Sequence, residues 1–312
     1  MPQFFFNYQN KDNYFHRLNP VVKLVWASSI IIIAMLANHP VILALLLLCT
    51  LPTVFAGGIW RQWAVIMQLT LWMGIMVVVI NCLANPGGSH LLWQSWFSLP
   101  IFGHIRVTLE AIIYGLFMTV RLMAIISAFS VITLTIHPDE LLSAMLEMRL
   151  PYKTAMMAAL SIRFVPTMFE DATRIADAQR SRGLEMDKGS KFERLRRRAP
   201  ILTSLLSSSL ERTIQLAEAM EARAFGSSSK RSRFFRLAFS KLDITMIVFL
   251  LLMLLLALYI LLSGGISYEY FPSLQRIDLS TKGLVMAILV VSVLAGLVPA
   301  ARLGESNYHD KV

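Results

Sequence analysis

Ile244-Thr-Met-Ile-Val-Phe-Leu-Leu-Leu-Met-Leu-Leu-Leu-Ala-Leu-Tyr-Ile-Leu-Leu262 runs for 19 residues without a charge. A helix needs about 20 apolar residues to cross a hydrocarbon core of about 30 Å, because a peptide group facing lipid has no water to bond. This run therefore predicts a membrane-spanning helix. The rest of the chain agrees with it: of 312 residues, 56% are hydrophobic and only 15% charged, and the mean hydropathy of +0.61 lies far above that of a soluble domain. Working outward, five further spans are predicted. Val21 to Ala37 is closed by Asn38, His39 and Pro40, and Val41 to Ala56 by Gly57 and Gly58. Trp63 to Leu83 and Leu109 to Ile136 flank a segment rich in Gly, Pro and Trp, and Gly283 to Ala301 follows the opening run. The first two are short for a full crossing.

The net charge of +10 would suggest nucleic acid in a soluble protein, but basic residues also mark the cytoplasmic loops of membrane proteins. Lys11, Arg17 and Lys23 precede the first span, Arg61 lies between the second and third, and Arg302 and Lys311 follow the last. These belong inside. Asn38 to Pro40, Ala84 to His104 and Ser263 to Lys282 are then external; the first two have no Lys or Arg, and the third balances Arg276 and Lys282 against Glu269 and Asp278. With both termini in the cytoplasm, Pro138 to Ser240 is cytoplasmic too, and it holds about 18 of the 29 Lys and Arg residues. No nucleic-acid partner is needed to explain the charge.

The expected organisation is a cytoplasmic segment over 1–20, membrane helices over 21–136, a cytoplasmic domain over 137–240, two membrane helices over 241–302 and a cytoplasmic tail over 303–312. The first twenty residues lack the short apolar stretch and cleavage site of a secretory signal, which predicts a retained N-terminus. Cys49 and Cys82 both sit in apolar runs, so neither a disulfide framework nor a thiolate metal site is expected.

Within the cytoplasmic domain, Pro138 with Asp139 and Glu140 reads as a helix start, and Pro151 stops that helix. A second helix is predicted from Lys153 to Arg182, with Leu160, Phe164, Met168, Ala172 and Ile175 on one face and a kink at Pro166. Gly183 ends it and a charged linker, Leu184 to Arg198, follows. A third helix is expected from near Pro200, with Leu202, Leu206, Leu210, Ile214, Ala217 and Met220 on one face.

The informative feature is a repeat. Ala176-Asp-Ala-Gln-Arg-Ser181-Arg182-Gly183 lines up with Ala217-Glu-Ala-Met-Glu-Ala222-Arg223-Ala224. Each copy is an alanine-rich helix end finishing in small, Arg, small. The alanines admit a close neighbour, and the arginine stands at the negative end of the helix dipole with a planar fork that can hold a carboxylate through two bonds. Taken singly, each is an ordinary cytoplasmic arginine complementing its helix. Taken together, they suggest two similar acidic sockets on a partner.

At this point the sequence resembles the transmembrane T components of energy-coupling factor transporters, the EcfT/CbiQ-like subunits of prokaryotic vitamin and metal-ion importers of the ABC class. The resemblance rests on His16-Arg17-Leu18-Asn19-Pro20 with Lys23, Arg121, Pro138 through Leu141, Leu150-Pro151, Arg163-Phe164-Val165-Pro166, Gln179 to Gly183, and Glu221-Ala222-Arg223-Ala224-Phe225-Gly226, and covers nearly the whole chain. It implies an all-α polytopic protein of the prokaryotic cell membrane, with about six transmembrane helices and a cytoplasmic bundle of coupling helices. It implies further that Arg182 and Arg223, with Ser181, Gly183, Ala222 and Ala224, dock on two ATPase subunits, which would bind ATP and Mg. The faces with Leu160, Phe164, Met168, Leu202, Leu206, Leu210 and Ile214 would cradle a small integral-membrane substrate-binding S component. In the resembled pattern the second motif ends in glycine where this chain has Ala224. Alanine takes a left-handed turn less readily, so the exit there is expected to rely on Gly226.

No Gly-rich loop ending in Gly-Lys-Ser or Gly-Lys-Thr occurs, so no cofactor is expected on this chain and nucleotide chemistry falls to partners. The rival reading, a self-contained secondary transporter, would need paired polar groups at mid-membrane, and the spans offer little beyond Arg121 and the distant Glu110. A membrane-embedded enzyme would need a convergent catalytic set; His39, His90, His104 and His137 fall at loops and a helix entry with no metal-ligand spacing. Arg121, near the middle of a span, is expected to anchor a neighbouring helix through backbone carbonyls or to snorkel, and Arg163 to serve packing near the membrane surface.

Overall fold

The computed structural model describes residues 18–84, 88–99, 103–147, 151–183, 190–225, 240–263, 268 and 270. The chain divides into two compact units, one built on Pro138–Leu237 and the other on Phe6–His137 with Ala238–Val312. The described residues are overwhelmingly helical, as an all-α membrane protein requires.

In the apolar unit, helices α1 (Pro20–Leu36) and α2 (Pro40–Ala56) have 17 residues each, and α3 (Trp60–Ala84) has 25. A hairpin of β1 (Leu91–Leu99) and β2 (Gly103–Thr108) leads into α4 (Leu109–Thr135). α8 (Lys241–Leu262) belongs to the same unit. α3, α4 and α8 are long and apolar enough to cross a membrane, and α1 and α2 are shorter apolar helices. The expected sixth span, Gly283 to Ala301, lies outside the described residues.

Local sequence sets the helix starts. Asn19 caps α1 by accepting from Val21 N at 3.0 Å, with Pro20 at the first position. Ser240 and Asp243 form a capping box on α8. α4 starts at Leu109 under the Thr108 cap.

Lipid tails are as apolar as leucine, so helices in a bilayer associate by close packing and polar contacts rather than by hydrophobic exclusion. α3 and α4 show both. A Cβ on Gly74 would run into the Thr119 side chain, and one on Gly115 would lie 2.8 Å from Val78 Cα. Thr119 Oγ1 donates toward Gly74 O at 3.1 Å and Gly115 O at 2.9 Å. A buried chain then joins three helices: Trp63 Nε1 donates to Ser127 Oγ at 2.8 Å, and Ser127 Oγ to Thr50 Oγ1 at 2.7 Å. Around these, Trp26, Ile30, Ile42, Leu46, Val131 and Leu250 form the core.

Three expectations are corrected here. Lys23 does not precede the first helix but lies in its first turn, fully buried, with Nζ 3.2 Å from the Thr135 carbonyl that ends α4; a cation there meets the negative dipole end. Arg61 likewise falls within the first turn of α3 rather than in a loop. The segment from Ala84 to His104, which has no Lys or Arg, is not the loop expected: it contains β1 and enters β2 of a hairpin that ends at Thr108.

The other unit has α5 (Pro138–Glu147), α6 (Tyr152–Ser181) and α7 (Lys191–Ala222). α6 runs on through Pro166. The expected start of α7 near Pro200 is wrong by nine residues, because Ser190 and Glu193 close a capping box, with Ser190 N 3.1 Å from Glu193 Oε2 and Glu193 N 3.4 Å from Ser190 Oγ. Pro200 is then interior. It removes one backbone donor on an exposed stretch where water can serve the freed carbonyl.

Candidate functional site: two arginine-capped helix ends

α6 and α7 pack against one another, and Arg212 Nη2 bonds Asp171 Oδ2 at 2.6 Å across the pair. Asp171 also lies 3.9 Å from Arg174. This cross-helix pair was not picked out from the sequence. The charge-assisted bond fixes which faces meet. Leu160, Phe164 and Met168 of α6 are half-buried, as are Leu205, Ser208, Arg212 and Leu216 of α7. By contrast Leu202, Leu206, Leu210 and Ile214 are each more than half exposed. The longest apolar row of α7 therefore faces outward, and a contiguous exposed apolar row is the kind of surface that marks an interaction site.

The two helix ends match in detail. Arg182 caps α6 at φ −86° and ψ 7°, and Arg223 caps α7 at φ −88° and ψ 14°. Gly183 follows at φ +85° and Ala224 at φ +53°. Gly183 N donates to Arg180 O at 2.9 Å, and Ala224 N to Glu221 O at 2.8 Å. At the second end Phe225 N also reaches Met220 O at 2.9 Å, which completes a Schellman motif. The expectation that this exit relies on Gly226 is thus corrected: Ala224 itself takes the left-handed turn, and the Schellman bonds offset a cost of about 1 kcal/mol for a side chain there.

Ser181, Arg182, Gly183, Ala222, Arg223 and Ala224 are all exposed. Ser181 Oγ is turned back onto Asp177 O at 3.0 Å. Arg180 pairs with Asp177 at 3.6 Å, yet among the described residues the guanidinium groups of Arg182 and Arg223 make no ion pair or hydrogen bond. Two open guanidinium groups on caps of similar backbone geometry are suited to receive carboxylates from outside.

The polar groups of the apolar unit are arranged differently. Arg121 Nη2 donates to Ala37 O at 2.5 Å and to Asn38 Oδ1 at 2.8 Å, so it holds the turn between α1 and α2. Tyr270 OH donates to Asn38 O at 2.8 Å. Burial pushes the Tyr270 phenol up to about 12, against the opposing pull of Arg121, so it stays a donor. In the other unit, Arg163 is exposed on α6. Among the described residues no cluster of His, Cys, Asp and Glu could hold a metal ion.

The sequence model of the CbiQ family, described as a cobalt transport protein, matches residues 11–234. The chain is similar to the energy-coupling factor transporter transmembrane protein EcfT of Streptococcus thermophilus, at 31% identity over 266 residues, 80% of this chain and 95% of that protein. It is also similar to the protein of the same name from Acidaminococcus fermentans, 33% identical over 260 residues, covering 78% and 91%. The Bacillus subtilis EcfT is 27% identical over 254 residues, covering 78% and 93%.

Proposed function

This chain belongs to the CbiQ family, whose members are the transmembrane components of energy-coupling factor transporters, and from that premise we propose that its two arginine-capped helices couple ATP hydrolysis on partner subunits to uptake. Arg182 and Arg223 each dock in an acidic groove of one of two ABC ATPase subunits, which bind ATP and Mg. A small membrane-embedded S component holds the substrate, a vitamin or a transition-metal ion, and rests on the outward row Leu202, Leu206, Leu210 and Ile214 with Leu160, Phe164 and Met168. When the ATPase pair closes and opens, the tips of α6 and α7 are displaced, and the helices carry that displacement to the S component as rigid levers. The chain itself is non-catalytic and lies in the prokaryotic cell membrane with both termini in the cytoplasm.

One observation carries this reading: two caps of the same geometry each present an arginine with no partner among the described residues, while neighbouring arginines are paired. The test is the double variant Arg182→Glu with Arg223→Glu, purified from membranes and assayed for co-purifying ATPase subunits and for uptake in cells. Loss of both at a normal level of membrane-inserted protein is expected. Intact assembly and uptake would overturn the docking assignment. Uptake driven by an ion gradient in vesicles holding this chain alone would instead establish a secondary transporter.

A further inference from the structure

At the start of the hairpin between α3 and α4, buried polar contacts lie next to exposed apolar residues. Glu110, in the first turn of α4, is completely buried. It accepts from Ser89 Oγ at 2.9 Å and His90 N at 3.1 Å, and lies 2.7 Å from His90 Nδ1. Leu109 N adds a bond to His90 O at 3.0 Å. Gly88 belongs to the same latch, since a Cβ there would collide with the Glu110 carboxylate and the Thr108 side chain. These contacts pin the start of β1 to the start of α4.

β2 packs on α3 and α4, while Leu91, Leu92 and Trp93 of β1 are each half exposed or more. A lone two-stranded hairpin is marginal in water, so this apolar surface calls for a covering medium. The lipid-facing surface of α3 runs up to it, with Trp72, Met76, Val79 and Ile80 exposed toward that end. α3 and α4, at 25 and 27 residues, are about 37 and 40 Å long, against about 30 Å of hydrocarbon, so their joined ends reach the head-group layer. Tryptophan concentrates in that layer, and the open edge of β1 finds water there that it would lack deeper.

We propose that the hairpin is a membrane-interface anchor, with Leu91, Leu92 and Trp93 of β1 seated in the lipid head-group layer where α3 meets α4, at a depth fixed by the latch of Gly88, Ser89 and His90 on Glu110. It depends on α3 and α4 being spans and not on the docking of ATPases. It is tested on the full complex as purified, in vesicles of phosphatidylethanolamine and phosphatidylglycerol, by the fluorescence that disappears in Trp93→Phe. That component is expected to be quenched at least twofold more by lipids brominated beside the head group than by lipids brominated near the chain ends, and to be shielded from iodide. Iodide quenching without lipid quenching would overturn the anchor in favour of water, and quenching by neither would overturn it in favour of a covering protein. A nitroxide on Leu92→Cys, in a Cys82→Ser background with Cys49 buried, gives a second reading: oxygen and nickel accessibilities typical of the interface support the anchor, and water-like values refute it. Gly88→Ala is expected to shift the Trp93 quenching toward the aqueous quencher; an unchanged depth would remove the latch from the account.

Discussion

Arg121 lies midway along α4 with its guanidinium closed onto Ala37 and Asn38, whereas Arg182 and Arg223 cap α6 and α7 with theirs open. The contrast extends to the units around them. In the apolar unit Lys23 meets the end of α4 and Glu110 meets Ser89 and His90, as a low-dielectric setting demands of every charge. In the other unit Asp171 and Arg212 pair between helices, but Arg182 and Arg223 at the two tips have no partner among the described residues, and a leucine row is exposed. Charges that close on their own chain hold a fold together; charges left open at helix ends are available to a partner.

Breaking this contrast at the tips has the largest expected effect. Arg182→Glu with Arg223→Glu should lower uptake at least tenfold while leaving thermal unfolding of the membrane unit unchanged, and each single reversal should fall between. Removing the close approach of α3 and α4 comes next: Gly74→Leu drives a side chain into Thr119 and costs about 3 kcal/mol, read as a lower unfolding temperature in detergent. Arg121→Leu leaves the Ala37 and Asn38 oxygens without their donor and costs about 2 kcal/mol; ATPase subunits should still co-purify, which separates it from the tip variants. The smallest effect sharpens the match between the two tips. Ala224→Gly relieves a left-handed alanine and Gly183→Ala creates one, so hydrogen exchange should show the α7 end stabilised and the α6 end destabilised by about 1 kcal/mol each.

The apolar helices α1 to α4 and α8 and the matched helix ends were legible because both depend on local pattern: long runs with few charges, and Ala-rich ends finishing in small, Arg, small. The start of α7 was misread because Pro200 is a stronger local mark than Ser190 and Glu193, although the capping box was present in the sequence and proline is tolerated on an exposed interior turn. The hairpin was missed since Leu91 to Thr108 does not alternate cleanly, and its register is irregular between Leu91 and Trp93 and between Gln94 and Ser98. Asp171 with Arg212, and Glu110 with His90, join residues 41 and 20 positions apart. Such pairs follow from packing, which no local period reveals. The left-handed Ala224 shows a backbone motif overriding a residue preference.

The most direct test of the account leaves both arginines in place. Cysteines at Ser181 and Ala222, the residues just before the two tips, are reacted with a short bifunctional crosslinker in the active complex. Each position is expected to capture one nucleotide-binding subunit. An active complex in which neither position captures an ATPase would contradict it.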